Sequence, residues 1–282
     1  MINVNDTTFQ FYLAMMDSFG EFLSEKYPDS NPKEDTKHYQ TIIIKKIVQM
    51  FHSLELLTMN TLDEVSARCV LRGILDSVTT YCFIYQKADK DEILFRHHLY
   101  ALDGCKTFNK SVLGISEMNE YCYNDKSICN HVVEKIKEKL YHHPFYAHDS
   151  SVVNKIIKDA RWNYESLQNP RSMKYWEMYS LVGFNSSLIE YFQGYLSQFA
   201  HGLCFSNKGA NSEILKVVLY ESVVLADKLV RAIYQTFCDE EIMNHFLCSD
   251  AIQKFIDSKD FSLDDLAEFA RKIVRNDKTI LI

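Results

Sequence analysis

Gly183–Asn207, with the sequence GFNSSLIEYFQGYLSQFAHGLCFSN, has two different faces when it is drawn as a helix. One face is apolar and repeats at steps of three or four residues: Leu188, Phe192, Tyr195 and Phe199. The opposite face is small, polar and titratable: Ser187, Glu190, Gly194, Ser197 and His201. Because a solvent-facing stripe is normally richer in Lys and Glu, the polar face predicts close approach by another helix or the lining of a cleft.

The composition predicts that the rest of the chain is helical too. Its 282 residues include only 8 Gly and 4 Pro, fewer than the tight turns of a sheet-rich chain require. Apolar residues make up 47% and charged residues 24%, the balance of soluble globular proteins, and 17 Tyr and 18 Phe supply a bulky core. We therefore predict an all-α, multi-helix bundle.

Helical spacing of apolar residues places most of the helices. Thr61-Leu-Asp-Glu64 predicts a capping box, and Gly183 predicts a kink before the opening stretch. No shift of composition divides the chain, so we predict one helical domain over 1–282, with a core of about 34–237 and peripheral helices in 1–33 and 238–282. The principal helices are expected at Thr7–Tyr27, Glu34–Met59, Leu62–Lys87, Asp89–Leu113, Ser116–Leu140, Ser151–Arg161, Met173–Val182, Ser212–Phe237, Asp239–Ser258 and Ser262–Asn276.

Charge and cysteine usage limit the partners. The formal charge is −7, so any attraction to RNA must be local, and we expect no DNA partner. The eight cysteines are scattered without a CxxC pair, as in reduced cytosolic proteins, and several lie among apolar residues, as Cys69 and Cys82 do. The N-terminus lacks the features of a signal peptide, and no apolar run reaches the roughly 20 residues that span a bilayer. We expect a cytoplasmic protein with no membrane partner.

Common catalytic motifs are absent from the sequence. It contains no GxGxxG or GxxxxGK[ST] phosphate loop, no GxSxG and no HExxH. His142, His143 and His148 surround Pro144 and raise the possibility of zinc. Against zinc, no Cys or acid stands beside them at ligand spacing and the proline makes the segment irregular, so we expect neither metal nor cofactor.

The helix predicted over Leu62–Lys87 carries Arg68, Arg72 and Asp76 at i, i+4 and i+8. One interpretation is a set of intrahelical ion pairs, each worth a few tenths of a kcal/mol. The other is that acids hold the arginines beneath a polar cleft.

Arg72 or Arg68, Asp76 and His201 could together form a site for RNA cleavage. A guanidinium matches phosphate oxygens, and an imidazole can move a proton near neutral pH. The RNA 2′-hydroxyl would serve as the nucleophile, so no metal is needed. Ser197 could orient the imidazole, and Arg68 and Tyr195 could bind substrate. The alternative is a non-catalytic interaction module in which the same cluster is a structural latch and His201 buttresses a helix end.

The segments Tyr195-Leu-Ser-Gln-Phe-Ala-His201-Gly and Arg72-Gly-Ile-Leu-Asp76 resemble the DUF5677-type family of bacterial helical proteins, which is distantly similar to HEPN domains. This resemblance implies a HEPN-like core, a defence or stress role, metal-independent ribonuclease activity and pairing as a homodimer. HEPN ribonucleases carry an arginine that is separated from their histidine by four to six residues. The six residues before His201, Tyr195–Ala200, contain no arginine, so Arg72 would have to supply it from another helix.

Overall fold

The computed structural model describes residues 6–28, 36–86, 89–111, 123–200, 212–237, 240–259 and 263–274. Within these residues every regular element is helical, apart from one isolated bridge between Tyr164 and Ser172, which confirms the all-α, multi-helix prediction. Two π-helical turns, π1 (Leu56–Asn60) and π2 (Phe192–Leu196), interrupt the α-helices. The α-helices are α1 Asp6–Lys26, α2 Thr36–Glu55, α3 Glu64–Tyr85, α4 Lys90–Ser111, α5 Tyr123–Tyr141, α6 Pro144–His148, α7 Ser150–Asp159, α8 Tyr175–Leu181, α9 Ser186–Tyr191, α10 Ser197–Ala200, α11 Ser212–Phe237, α12 Glu240–Cys248, α13 Asp250–Lys259 and α14 Leu263–Val274.

The chain forms two compact units. Unit 1 comprises Met1–Gln86 and Met178–Ile282, and unit 2 comprises Lys87–Glu177. This division rests on packing within each unit, and the single domain expected over 1–282 stays a prediction.

Helix α3 is the centre of unit 1. Residues 78–85 are buried without interruption, so the second half of this helix is enclosed on every side. Helices α2 and α11 pack against α3, and α1 packs against α2 and α11. Phe9, Met16 and Phe19 of α1 are completely buried. The tip of the Met50 side chain on α2 packs over Gly73, because a Cβ atom there would lie 2.7 Å from the Cε atom of Met50.

The start of α3 differs from the predicted capping box. The N-cap is Asp63, whose Oδ1 accepts a hydrogen bond of 3.1 Å from the Ser66 N–H. Leu62 adopts a left-handed φ of 54° as the chain leaves π1, and the Thr61 hydroxyl donates back to the Leu57 carbonyl. The capping box at Thr61 is therefore wrong, because the preceding π turn shifts the helix start.

Arg96 organises the irregular part of unit 2. From α4 its Nη1 donates to the carbonyls of Trp162 and Tyr164 at 3.0 and 2.8 Å, and its Nε donates to Glu92 at 2.8 Å. The guanidinium carbon also lies 3.9 Å from the centre of the Tyr164 ring. A buried arginine with these partners fixes the backbone of the segment between α7 and α8.

Cys69, Cys82, Cys105 and Cys248 are free thiols. Cys82 is buried, as expected, and burial raises its pKa to about 12. Cys69 is exposed, contrary to expectation, because it lies on the outer side of α3. Among the described residues, no helix combines the length and the apolar character needed to cross a bilayer.

Candidate functional site

Gly183 separates α8 from the segment that follows. Its φ is +94°, and its N–H donates to the Ser180 carbonyl while the Phe184 N–H donates to the Tyr179 carbonyl. This pair of bonds is a Schellman motif, for which glycine is the favoured residue. Asn185 then caps α9 by accepting from the Leu188 N–H at 2.9 Å. Gly183 therefore ends one helix and Asn185 starts another, where the sequence predicted a kink within a continuous helix.

Beyond α9 the predicted continuous helix is interrupted by π2. The polar face at Ser187, Glu190 and Gly194 is exposed to solvent. Apart from the backbone of its own helix and its chain neighbours, no described part of the chain lies within 4 Å of the position that a Cβ would occupy at Gly194. The interpretation of this face as closely approached by another helix is therefore wrong at these three residues. The aromatic face contacts the arginines of α3 instead.

Arg68 is the centre of a buried cluster, which we call the Arg68 cluster. Its side chain is only 1% exposed. Its Nε donates to Glu64 Oε1 at 2.9 Å, and its Nη1 donates to the Tyr191 hydroxyl at 2.8 Å. The guanidinium carbon lies 4.7 and 5.0 Å from the ring centres of Tyr195 and Phe199. The members of the cluster are Glu64, Arg68, Tyr191, Tyr195, Phe199 and Glu221.

Glu221 joins this cluster from α11. Its Oε2 lies 3.6 Å from Arg68 Nη1, so the cluster holds two carboxylates and one guanidinium. The pKa of Glu221 is raised to about 7, chiefly by burial and in smaller part by Glu64, against the opposing effects of Tyr191 and Arg68. Sequence reasoning did not identify Glu221 or Tyr191. The available signal was that Glu221 is the only charged residue in the apolar run between Lys216 and Asp227.

Arg72 and Asp76 lie one and two turns further along α3 and are more accessible. Their side chains are 20% and 30% exposed, and Arg72 Nε lies 3.3 Å from Asp76 Oδ2. The Nη1 of Arg72 donates to the carbonyl of Phe192 in π2 at 3.2 Å. The Tyr179 hydroxyl donates to Asp76 Oδ1 at 2.6 Å. Burial raises the pKa of Asp76, against the opposing effects of Tyr179 and Arg72.

The six predicted site residues have different outcomes. Arg72 and Asp76 form an ion pair, and Arg68 contacts the Tyr195 ring. Ser197 is half-buried, and its hydroxyl has no hydrogen bond to any described residue. The predicted convergence of Ser197 and His201 on Arg72 stays a prediction, because His201 lies outside the described residues.

The three histidines around Pro144 do not form a ligand set. The Nδ1 of His142 pairs with the Glu138 carbonyl, and the Nδ1 of His143 accepts the Phe145 N–H. In the described part of the chain, no three His, Cys, Asp or Glu side chains are placed to hold a metal ion.

Comparison of the chain with protein-family models, with curated proteins and with solved structures gives no match. The resemblance to the DUF5677-type family and to HEPN domains therefore stays a prediction.

Proposed function

We propose that the chain is a non-catalytic helical interaction module and that the Arg68 cluster is the latch that holds it together. The observation that carries this proposal is that Arg68 is 1% exposed while it contacts groups on two other parts of the fold. A guanidinium with no accessible face cannot bind a phosphate of RNA. Its hydrogen bonds and ion pairs are made with other residues of the protein.

The latch joins three stretches of unit 1 that are distant in sequence. Arg68 belongs to α3, Tyr191 ends α9 and Glu221 belongs to α11. A buried ion pair requires a specific arrangement of its partners, because any other arrangement leaves a charge without compensation in a medium of low polarity. The cluster therefore favours one register of the Ser186–Ala200 segment against α3 and α11.

Arg68→Met tests the latch, because it removes the cation and leaves Glu64 and Glu221 buried. We expect the free energy of unfolding, measured by urea denaturation, to fall by about 3 kcal/mol or more. Arg171→Met is the matched control: this exposed arginine also pairs with two carboxylates, but water screens both pairs, so its loss should lower the free energy of unfolding far less than loss of Arg68. Equal effects of the two substitutions would refute the latch.

A second candidate function is metal-independent RNA cleavage by a cytoplasmic, HEPN-like protein of a bacterial defence or stress system. The observation that favours it is the accessibility of Arg72. In the described part of the chain its Nη2 has no hydrogen bond, so that nitrogen could reach a phosphate. Asp76 and Tyr179 hold this arginine at the edge of the cluster.

RNA cleavage distinguishes the two candidates. Wild type, Arg72→Met and His201→Ala are incubated with a pool of labelled RNA in the presence of EDTA. The interaction module predicts intact RNA with all three proteins. Cleavage by the wild type that both substitutions abolish, without a change in the melting temperature, would establish the ribonuclease instead.

A further inference from the structure

Helix α4 buries a group of histidines that the proposed function does not use. Residues 95–99 are buried without interruption, so this part of α4 is enclosed on all sides. The stretch includes the adjacent His97 and His98, whose ring centres lie 5.5 Å apart. His98 is only 4% exposed, and His97 is buried even more completely. Two imidazoles on consecutive positions are thus both removed from water.

His143, at the N-terminus of α6, adds a third buried imidazole. It is 5% exposed, and its ring centre lies 5.0 Å from that of Phe95. Within the described residues, the Nδ1 of His98 and the Nε2 of His143 are buried and have no hydrogen-bond partner. A proton on His98 Nδ1 would have no acceptor among these residues, whereas the Asp91 backbone favours a proton on His143.

The charges around these histidines differ from one ring to the next. Lys139 on α5 is near both His97 and His98 and opposes their protonation. Asp89 and Asp91 are near His143 and favour its protonation, but burial outweighs them. We call His97, His98 and His143 the histidine core of unit 2.

Burial lowers the pKa of His97 to about 3 and that of His98 to about 4, and it also lowers the pKa of His143. In the unfolded chain each imidazole titrates near pH 6.5. Above about pH 6.5 the rings are neutral in both the folded and the unfolded chain, and the free energy of unfolding is not reduced. As the pH falls from there toward the folded pKa values, the unfolded chain binds more protons and the free energy of unfolding decreases. Each ring binds a proton when unit 2 opens.

We propose that the histidine core makes unit 2 an acid-sensitive module that opens in mildly acidic solution while unit 1 stays folded. The Arg68 cluster of unit 1 responds to acid in the opposite direction, because protonation of Glu221 leaves one carboxylate to match one guanidinium. A fall in pH therefore weakens one unit and strengthens part of the other. The difference between the two units is the testable content of this inference.

Tryptophan fluorescence isolates unit 2, because both tryptophans of the chain, Trp162 and Trp176, belong to it. Trp162 is buried and lies 5.4 Å from the ring centre of Tyr100 on α4, whereas Trp176 is exposed. Trp176→Phe leaves Trp162 as the only reporter. In that background we titrate the protein from pH 8 to pH 4 and record the midpoint and steepness of the Trp162 transition.

His98→Phe removes one titrating ring and keeps an aromatic side chain of similar shape. We expect the acid midpoint to move down by about half a pH unit or more, with about one proton fewer taken up on opening. If His98→Phe does not fold, His98→Asn serves as the second variant. Asparagine does not titrate and keeps a neutral polar group near the position of Nδ1. His148→Phe, at an exposed position of the same unit, is the control and should leave the transition unchanged.

Hydrogen–deuterium exchange at each pH then separates the units. Peptides from α4 and α5 should lose protection at a higher pH than peptides from α3 and α11. The proposal is overturned if both His98 variants retain the acid midpoint of the control, or if peptides of the two units lose protection at the same pH.

Discussion

Glu221→Gln should change the pH dependence of stability in a way that tests the charge balance of the Arg68 cluster. The wild-type cluster has two carboxylates and one guanidinium, and the pKa of Glu221 is raised from 4.5 to about 7, chiefly by burial. Glutamine is the neutral isostere of the protonated acid. It should therefore leave Glu64 as the only anion opposite Arg68.

The magnitude follows from linkage between protonation and folding. Below pH 4.5 Glu221 is protonated in the folded and unfolded chains, so its contribution is constant. Between pH 4.5 and about 7 Glu221 is ionised only in the unfolded chain, so the free energy of unfolding falls by about 1.4 kcal/mol for each unit that the pH rises. The total loss is about 3 kcal/mol, and it is complete above pH 7. Glu221→Gln should not show this loss.

The assay is urea denaturation of both proteins from pH 4.5 to pH 8, followed by far-ultraviolet circular dichroism. The difference in free energy of unfolding between variant and wild type isolates Glu221, because the histidines of unit 2 contribute equally to both proteins. We expect this difference to grow by about 3 kcal/mol in favour of the variant as the pH rises. Glu190→Gln, at an exposed position, should show no such trend. A difference that does not vary with pH would refute the charge balance described for the cluster.

Three further substitutions test the backbone contacts. Arg96→Lys keeps the charge but lacks the forked guanidinium that reaches the carbonyls of Trp162 and Tyr164. The urea midpoint of unit 2, read from Trp162 fluorescence, should therefore fall by the equivalent of about 2 kcal/mol. An unchanged midpoint would contradict this role of Arg96. Gly183→Ala should lower the free energy of unfolding by about 1 kcal/mol, because its φ of +94° is strained for alanine. Gly194→Ala should raise it by about 0.5 to 1 kcal/mol, since a methyl group there meets no other element among the described residues. Thermal melts of the two glycine variants should therefore shift in opposite directions.

The helical class and several helix ends could be predicted because they depend on local signals. Gly183 ends a helix through its own backbone freedom, and the apolar spacing of α3 is visible without knowledge of its neighbours. The Arg72–Asp76 pair is also local, because residues four apart on a helix are adjacent.

The partners of Arg68 could not be predicted in the same way. Glu221 is 153 positions away in sequence, and only packing of α11 near α3 brings the two side chains together. The turn of π2 carries no reliable sequence signal, yet it presents Tyr195 to Arg68 and the Phe192 carbonyl to Arg72. Ser187 and Glu190 precede π2 and are exposed, because whether a neighbouring helix covers a face depends on tertiary packing that the local period does not reveal.

The π2 turn also bears on how this sequence tolerates a change in length. A π turn holds one residue more than the α turn that it replaces, so loss of a single codon, such as that of Gln193, could convert it to regular α-helix. Because the lost residue is the extra one that the π turn holds, the side chains beyond the deletion would keep nearly the same direction around the helix axis. Phe199 would then still face Arg68. Loss of one residue from the regular turns of α9 would instead rotate every later side chain by about 100° around the axis. A single deletion should therefore be better tolerated within π2 than in α9.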